Sequence, residues 1–162
     1  MLLIFGLTYI ERERIKFMYK SILLPLDGSA MAEQALPYAI AQAKHFQAEL
    51  ILLKVLEPVE RSISLPPGDI SRAEKVTRKL ASEYLERIAA GFREKDISVR
   101  VVTVTGQPHE GIVRFAEAEQ VDLIVICTHG HSGLTRWLVG SVADRVTRGV
   151  NVPVLLVHAR NE

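Results

Sequence analysis

The residues best suited to chemistry lie in one stretch, ICTHGHSGLTRWLVGSVADRV, residues 126–146. Gly130, Gly133 and Gly140 follow an apolar run and lead into an amphipathic segment. Phosphate binding at such a strand-to-helix junction needs backbone N–H groups aimed into a crevice, which glycine permits through positive φ and close approach. It also needs a helix N-terminus, with unpaired donors and the positive end of the dipole. Gly140-Ser141 offers the second: Ser141 can cap the helix, with Asp144 three residues on, and its hydroxyl can reach a phosphate. The same glycines suit a plain turn and Ser141 a plain cap, so the pattern alone leaves both readings open. No Lys follows Gly140, which excludes a GxxxxGK[ST] loop, and GxGxxG is absent. Cys127 stands where the chain leaves the apolar run. Asp27-Gly28-Ser29 ends another such run, where Asp27 can accept from ribose hydroxyls or cap the next helix.

The remaining candidates carry less. His129 is placed to donate to a phosphate or to pack at the turn; His131 and His109 read as solvated, and no convergence into a metal site is visible. A dense carboxylate set and HExxH are both missing. Cys127 has no base assured beside it, so a nucleophilic role is not expected. Arg136 and Trp137 fall in the spacer before Gly140; Arg145 and Arg148 lie further along the helix and take no site role.

These residues sit in a chain of 162 residues, enough for one domain with a real core. Hydrophobic content of 48% and charged content of 24% describe an ordinary globular protein. A net charge of +1 gives no field that would draw nucleic acid or an anionic membrane. One cysteine excludes an intrachain disulfide and a cysteine zinc cluster, and fits a cytoplasmic location. The opening MLLIFGLTYI is shorter than the about 20 apolar residues of a membrane span. It also lacks the leading positive charge and small-residue cleavage site of a secretory signal. Residues 1–17 read as an appendage to a domain over 18–160, with an added helix or a partner-binding arm as alternatives.

Apolar runs place strands at 20–26, 49–57, 97–104, 121–127 and 152–157. Between them, helical spacing predicts an alanine-rich helix over 30–46 kinked at Pro37, and one from an Asp69 cap to a Gly91 stop. Two more are expected, from Pro108 to about Glu119 and over 141–149. EPVERSISLPPGD is the one long loop. This β-α alternation implies an α/β fold: an open five-stranded parallel sheet of order 3-2-1-4-5 with helices on both faces. Strands 20–26 and 121–127 then lie side by side, and their carboxyl ends flank the topological switch point, where open sheets bind ligands. VPVLLV becomes an apolar edge strand that invites a second copy, so a homodimer through 152–157 is expected unless the appendage or last helix covers it.

From Met18 to Val157 the chain resembles the universal stress protein family, on YKSILLPLDGS, ELILLKVLEP, VTGQPHEGIVRFAEAEQVDLIVICTHG, SGLTRWLVGSVADRV and VPVLLV. That family has an adenine nucleotide alpha hydrolase-like fold. Its ATP-binding branch carries Gly, two residues, Gly, nine residues, then Gly with Ser or Thr. Here the pattern registers as Cys127, Thr128-His129, Gly130, residues 131–139 and Gly140-Ser141, complete in spacing with the first glycine replaced. The resemblance implies that Pro25, Leu26 and Asp27 line the adenine and ribose end, with Val55 and Ile126 against the base. It further implies that Gly130, Gly140, Ser141 and Val142 wrap the phosphates, beside Cys127, Thr128 and His129. Any Mg or Mn would be held mainly by the ATP phosphates. If position 127 required positive φ, cysteine there would cost about 1–3 kcal/mol, or about ten- to a hundredfold in affinity. As a last strand residue it would cost less. The expected function is an ATP-binding, nucleotide-dependent regulator of stress response without fast turnover. The alternative is a stress protein that acts through protein contacts alone; an adenylate-transferring enzyme ranks last, for want of further catalytic motifs.

Overall fold

The period of two in each apolar run sends alternate side chains to opposite faces of one sheet, and this parity divides the core in two. In the computed structural model, which describes residues 18–58, 67–128 and 141–160, Ile22, Leu24, Leu50, Leu52, Leu123 and Val125 join one buried cluster. Leu23, Ile51, Leu53, Ile124 and Ile126 join the other. Chain order is β1 (Ser21–Pro25), α1 (Ala30–Glu33), α2 (Leu36–Phe46), β2 (Glu49–Leu56), α3 (Pro67–Arg93) and β3 (Val99–Thr105). Then come α4 (Pro108–Ala118), β4 (Leu123–Thr128), α5 (Ser141–Gly149) and β5 (Val154–His158). The sheet is β3-β2-β1-β4-β5 with every pair parallel, as the β-α alternation requires.

Helices cover both faces. Ala39, Ala43 and Phe46 of α2 and Leu85, Ala89 and Phe92 of α3 complete the first cluster. Ile112 and Ala116 of α4 and Ala143 and Val146 of α5 complete the second. The central strands β1, β2 and β4 are buried on both faces, which is why they read as unbroken apolar runs. On the edge strand β5, Val154, Leu155 and Leu156 are half-buried and only Val157 is buried.

Three local expectations are corrected. Pro37 does not kink one helix; it stands in the first turn of α2, after α1 has closed through Gln34 N–H and Ala35 N–H onto Met31 and Ala32 carbonyls at 3.1 Å each. Neither end of α3 falls where expected: Asp69 lies inside its first turn and does not cap it, and Gly91 does not end it, since the helix runs on to Arg93. The stop is made by Asp96 at φ 58°, with Ile97 N–H donating back to the Phe92 carbonyl at 3.2 Å. The same closure follows α2 at Gln47 (φ 54°, Ala48 N–H to Ala43) and α4 at Gln120 (φ 50°, Val121 N–H to Ala116). The third concerns Asp27, which does not cap the next helix; Ser29 does, accepting from Ala32 N–H at 3.1 Å.

Beyond β5 the ladder continues as Ala159 N–H donates to the Thr128 carbonyl at 2.9 Å. Gln34, at the end of α1, then grips the next residue twice. Its amide donates to the Arg160 carbonyl at 3.1 Å and accepts from Arg160 N–H at 2.7 Å.

Candidate functional site

β1 and β4 are neighbours whose connections leave the sheet in opposite directions, so their carboxyl ends open a crevice. It measures about 530 Å³, within the roughly 300–1,000 Å³ range of small-molecule sites. Pro25, Leu26 and Asp27 line it from β1, Val55 from β2, and Ile126, Cys127 and Thr128 from β4. Ser141 and Val142 line it from α5. The structure therefore brings these nine sequence candidates onto one surface, while His129, Gly130 and Gly140 lie outside the described residues, as do His131, Gly133, Arg136 and Trp137. His109, Arg145 and Arg148 are not on the lining; Arg148 pairs with Asp144 at 3.1 Å, one turn back on α5.

The turn after β1 is built tightly. Leu26 N–H still bonds the Leu53 carbonyl at 2.8 Å, so the sheet delivers Asp27 to the crevice rim. Gly28 then takes φ +94°, a region costly to residues with a Cβ. Ser29 N–H donates to Asp27 Oδ1 at 2.8 Å. Burial is the largest single influence on this carboxyl and pushes its pKa up. The Ser29 hydroxyl and amide and the Lys54 charge outweigh it, leaving the carboxyl below its ordinary value and ionised at neutral pH.

Cys127 is an interior residue of β4, in register with Val157, and is not among the positive-φ residues of the described chain. Its thiol packs toward the first core cluster and is partly exposed to the crevice. Burial, and then the negative charge of Asp27, raise its pKa, which keeps it a neutral thiol. Ser141 lies inside α5 and not at its cap, and with Val142 it lines the crevice.

Sequence reasoning missed Lys54 and Glu57 from β2 and its end, Met31 and Ala32 of α1, and Thr77 of α3. It also missed Pro108 and Ile112 of α4 and Ala143 of α5. Lys54 alone left a trace: it is a cation inside ELILLKVL, a strand otherwise buried on both faces. The Lys54 ammonium donates to the Asp27 carbonyl at 2.6 Å and lies 5.0 Å from the centre of the Tyr84 ring. The Tyr84 hydroxyl donates to Glu33 Oε1 at 2.9 Å; burial first, and Glu33 next, push the phenol pKa well above its usual value.

The crevice thus combines an apolar wall of Val55, Ile126, Ile112 and Val142 with the Asp27 carboxylate and Ser141 of α5. Such a surface suits a ligand with a flat apolar group, a hydroxylated middle and an anionic tail. Among the described residues no three His, Cys, Asp or Glu side chains converge as a metal site, and no helix is long and apolar enough to cross a membrane.

Comparison with known proteins agrees with the fold. Universal stress protein MJ0531 of Methanocaldococcus jannaschii is 36% identical over 86% of this chain and 82% of its own. The solved structure of MJ0577, from the same organism, superposes with a TM-score of 0.76 at 36% identity, over 90% of this chain and 99% of that one. A universal stress protein solved in complex with cAMP shares the fold, with a TM-score of 0.62 at 24% identity over 86% and 97% of the two chains. The profile of the universal stress protein family matches residues 18–158. With its sheet order, its relatives and that match in agreement, the chain belongs to the universal stress protein family.

Proposed function

We propose that this protein binds ATP in the crevice between β1 and β4 and acts as a nucleotide-dependent regulator in stress response. The observation that carries this reading is that an apolar wall, an ionised carboxylate and residues of α5 line one crevice. Val55 and Ile126 form an apolar surface for adenine; Asp27, ionised at the end of β1, accepts from ribose hydroxyls. Ser141 and Val142 open α5 toward the phosphates, where helix amides and the dipole favour negative charge. The cAMP complex of a fold relative is consistent with an adenine nucleotide as ligand. Among the described residues no carboxylate cluster competes for a divalent ion, and in this reading Mg or Mn travels with the phosphates. The reading gives Asp27 to the ribose and assigns no residue a role in fast hydrolysis, so the protein acts as a binding switch.

The reading includes a cytoplasmic homodimer joined along β5, whose outer edge has no strand beside it among the described residues. The test is calorimetric titration of purified protein with ATP and magnesium, alongside thermal unfolding. Saturable heat and a rise in unfolding temperature are expected. Neither signal at millimolar ATP would overturn ATP binding and favour action through protein contacts alone.

A further inference from the structure

The crevice rim is held by a polar bracket that joins four elements, β1, β2, α1 and α3. Lys54 follows Leu50 and Leu52 on the face of β2 covered by α2 and α3. Its ammonium reaches the Asp27 carbonyl at 2.6 Å, across the turn where Gly28 leaves room: a Cβ at position 28 would stand 3.0 Å from Nζ. Behind the ammonium lies the Tyr84 ring of α3, at 5.0 Å, a cation–π arrangement that restrains the long side chain. The Tyr84 hydroxyl is in turn fixed on Glu33 of α1, at 2.9 Å. A flexible lysine is thereby held in one place by β1, α1 and α3 together.

We infer that Lys54 is a positioning residue for ligand binding: its ammonium, steadied by Tyr84 and Glu33, holds the Asp27–Gly28 turn and aims the Asp27 carboxylate into the crevice. The inference rests on the proposed nucleotide site and adds a residue that acts on the ligand through Asp27. The charged and titratable groups around Asp27 are Lys54 of β2, Glu33 of α1, Tyr84 and Arg87 of α3, and Cys127 of β4. Among them Lys54 is the cation that acts on the Asp27 carboxyl. Glu33 is occupied by Tyr84, and Arg87 lies 5.8 Å from the centre of that ring. Loss of the Lys54 charge therefore leaves Asp27 without its positive neighbour and frees the turn carbonyl.

The experiment compares wild type, Lys54→Met and Lys54→Arg by titration with ATP and magnesium from about pH 2 to pH 8, so that the range spans the lowered Asp27 midpoint. The Asp27 carboxyl is followed by carbon NMR in ligand-free protein, and thermal unfolding confirms that each variant is folded. Lys54→Met is expected to weaken binding about tenfold, as loss of a charge-assisted hydrogen bond implies, and Lys54→Arg to recover much of it. The Asp27 titration midpoint should move up in Lys54→Met, and the acid-side loss of ATP binding should move up with it. Unchanged affinity and midpoint in Lys54→Met would overturn the inference. So would weakened binding with an unmoved midpoint, because a merely structural prop behaves that way. If wild type itself binds no ATP, the nucleotide reading fails separately, and the ligand-free titration still decides whether Lys54 governs Asp27.

Discussion

Cys127 occupies extended backbone within β4, where a side chain costs no strain, so replacing glycine by cysteine there carries no positive-φ penalty. Cys127→Gly is therefore expected to leave ATP affinity within about threefold and to lower stability by about 0.5–1 kcal/mol, the entropic cost of glycine in a strand. Calorimetry and urea unfolding check both; a tenfold gain in affinity would show that the thiol obstructs the ligand. The thiol should also alkylate slowly at neutral pH, since burial and the Asp27 charge raise its pKa. Removing the negative charge lowers a thiol pKa, so Asp27→Asn should speed alkylation by iodoacetamide at fixed pH; an unchanged rate would refute the influence of Asp27. Types and spacing in the sequence pointed to Asp27, Cys127 and Ser141 at one crevice, and the family resemblance added Val55. They were silent on Met31, Thr77 and Ile112, whose presence depends on how α1, α3 and α4 lean over the sheet.

Element boundaries show why the helices were harder to delimit than the strands. Buried strands announce themselves by apolar runs, but the three helix stops use Gln47, Asp96 and Gln120 in the left-handed region that glycine would have marked. Each is followed by a buried apolar residue, Ala48, Ile97 or Val121, whose amide closes the helix and leads toward the next strand. Left-handed backbone disfavours a Cβ by about 1–2 kcal/mol, so Gln120→Gly should raise stability by up to about 1 kcal/mol in urea unfolding. Destabilisation would mean that the Gln120 side chain contributes more than its strain costs. The opposite case is Gly111 on α4, where a Cβ would stand 2.8 Å from Val55 Cγ1. Gly111→Ala should push α4 from β2, costing about 1–3 kcal/mol and disturbing the Val55 wall of the crevice. An unchanged melting temperature would show that Val55 turns aside freely.

At the scale of the whole molecule, the sheet order followed from β-α alternation and right-handed crossovers, before any side chain was placed. The same order leaves β5 at an edge. Ala159 N–H faces β4, so by the period of two the amide of Leu156 faces outward. Leu156→Pro removes that outward donor without touching the bond to β4. It is expected to give monomers by sedimentation, with far-UV circular dichroism unchanged; a persisting dimer would move the interface away from β5. The chain past that strand has a further property, because Gln34 grips Arg160 from the end of α1, the helix that brings Met31 and Ala32 to the crevice. A fluorophore attached through the side chain of residue 160, whose backbone Gln34 holds, would stand beside that helix. It would serve as an optical gauge of crevice occupancy, whereas the Gln34→Ala form, with the tether cut, would supply the insensitive control.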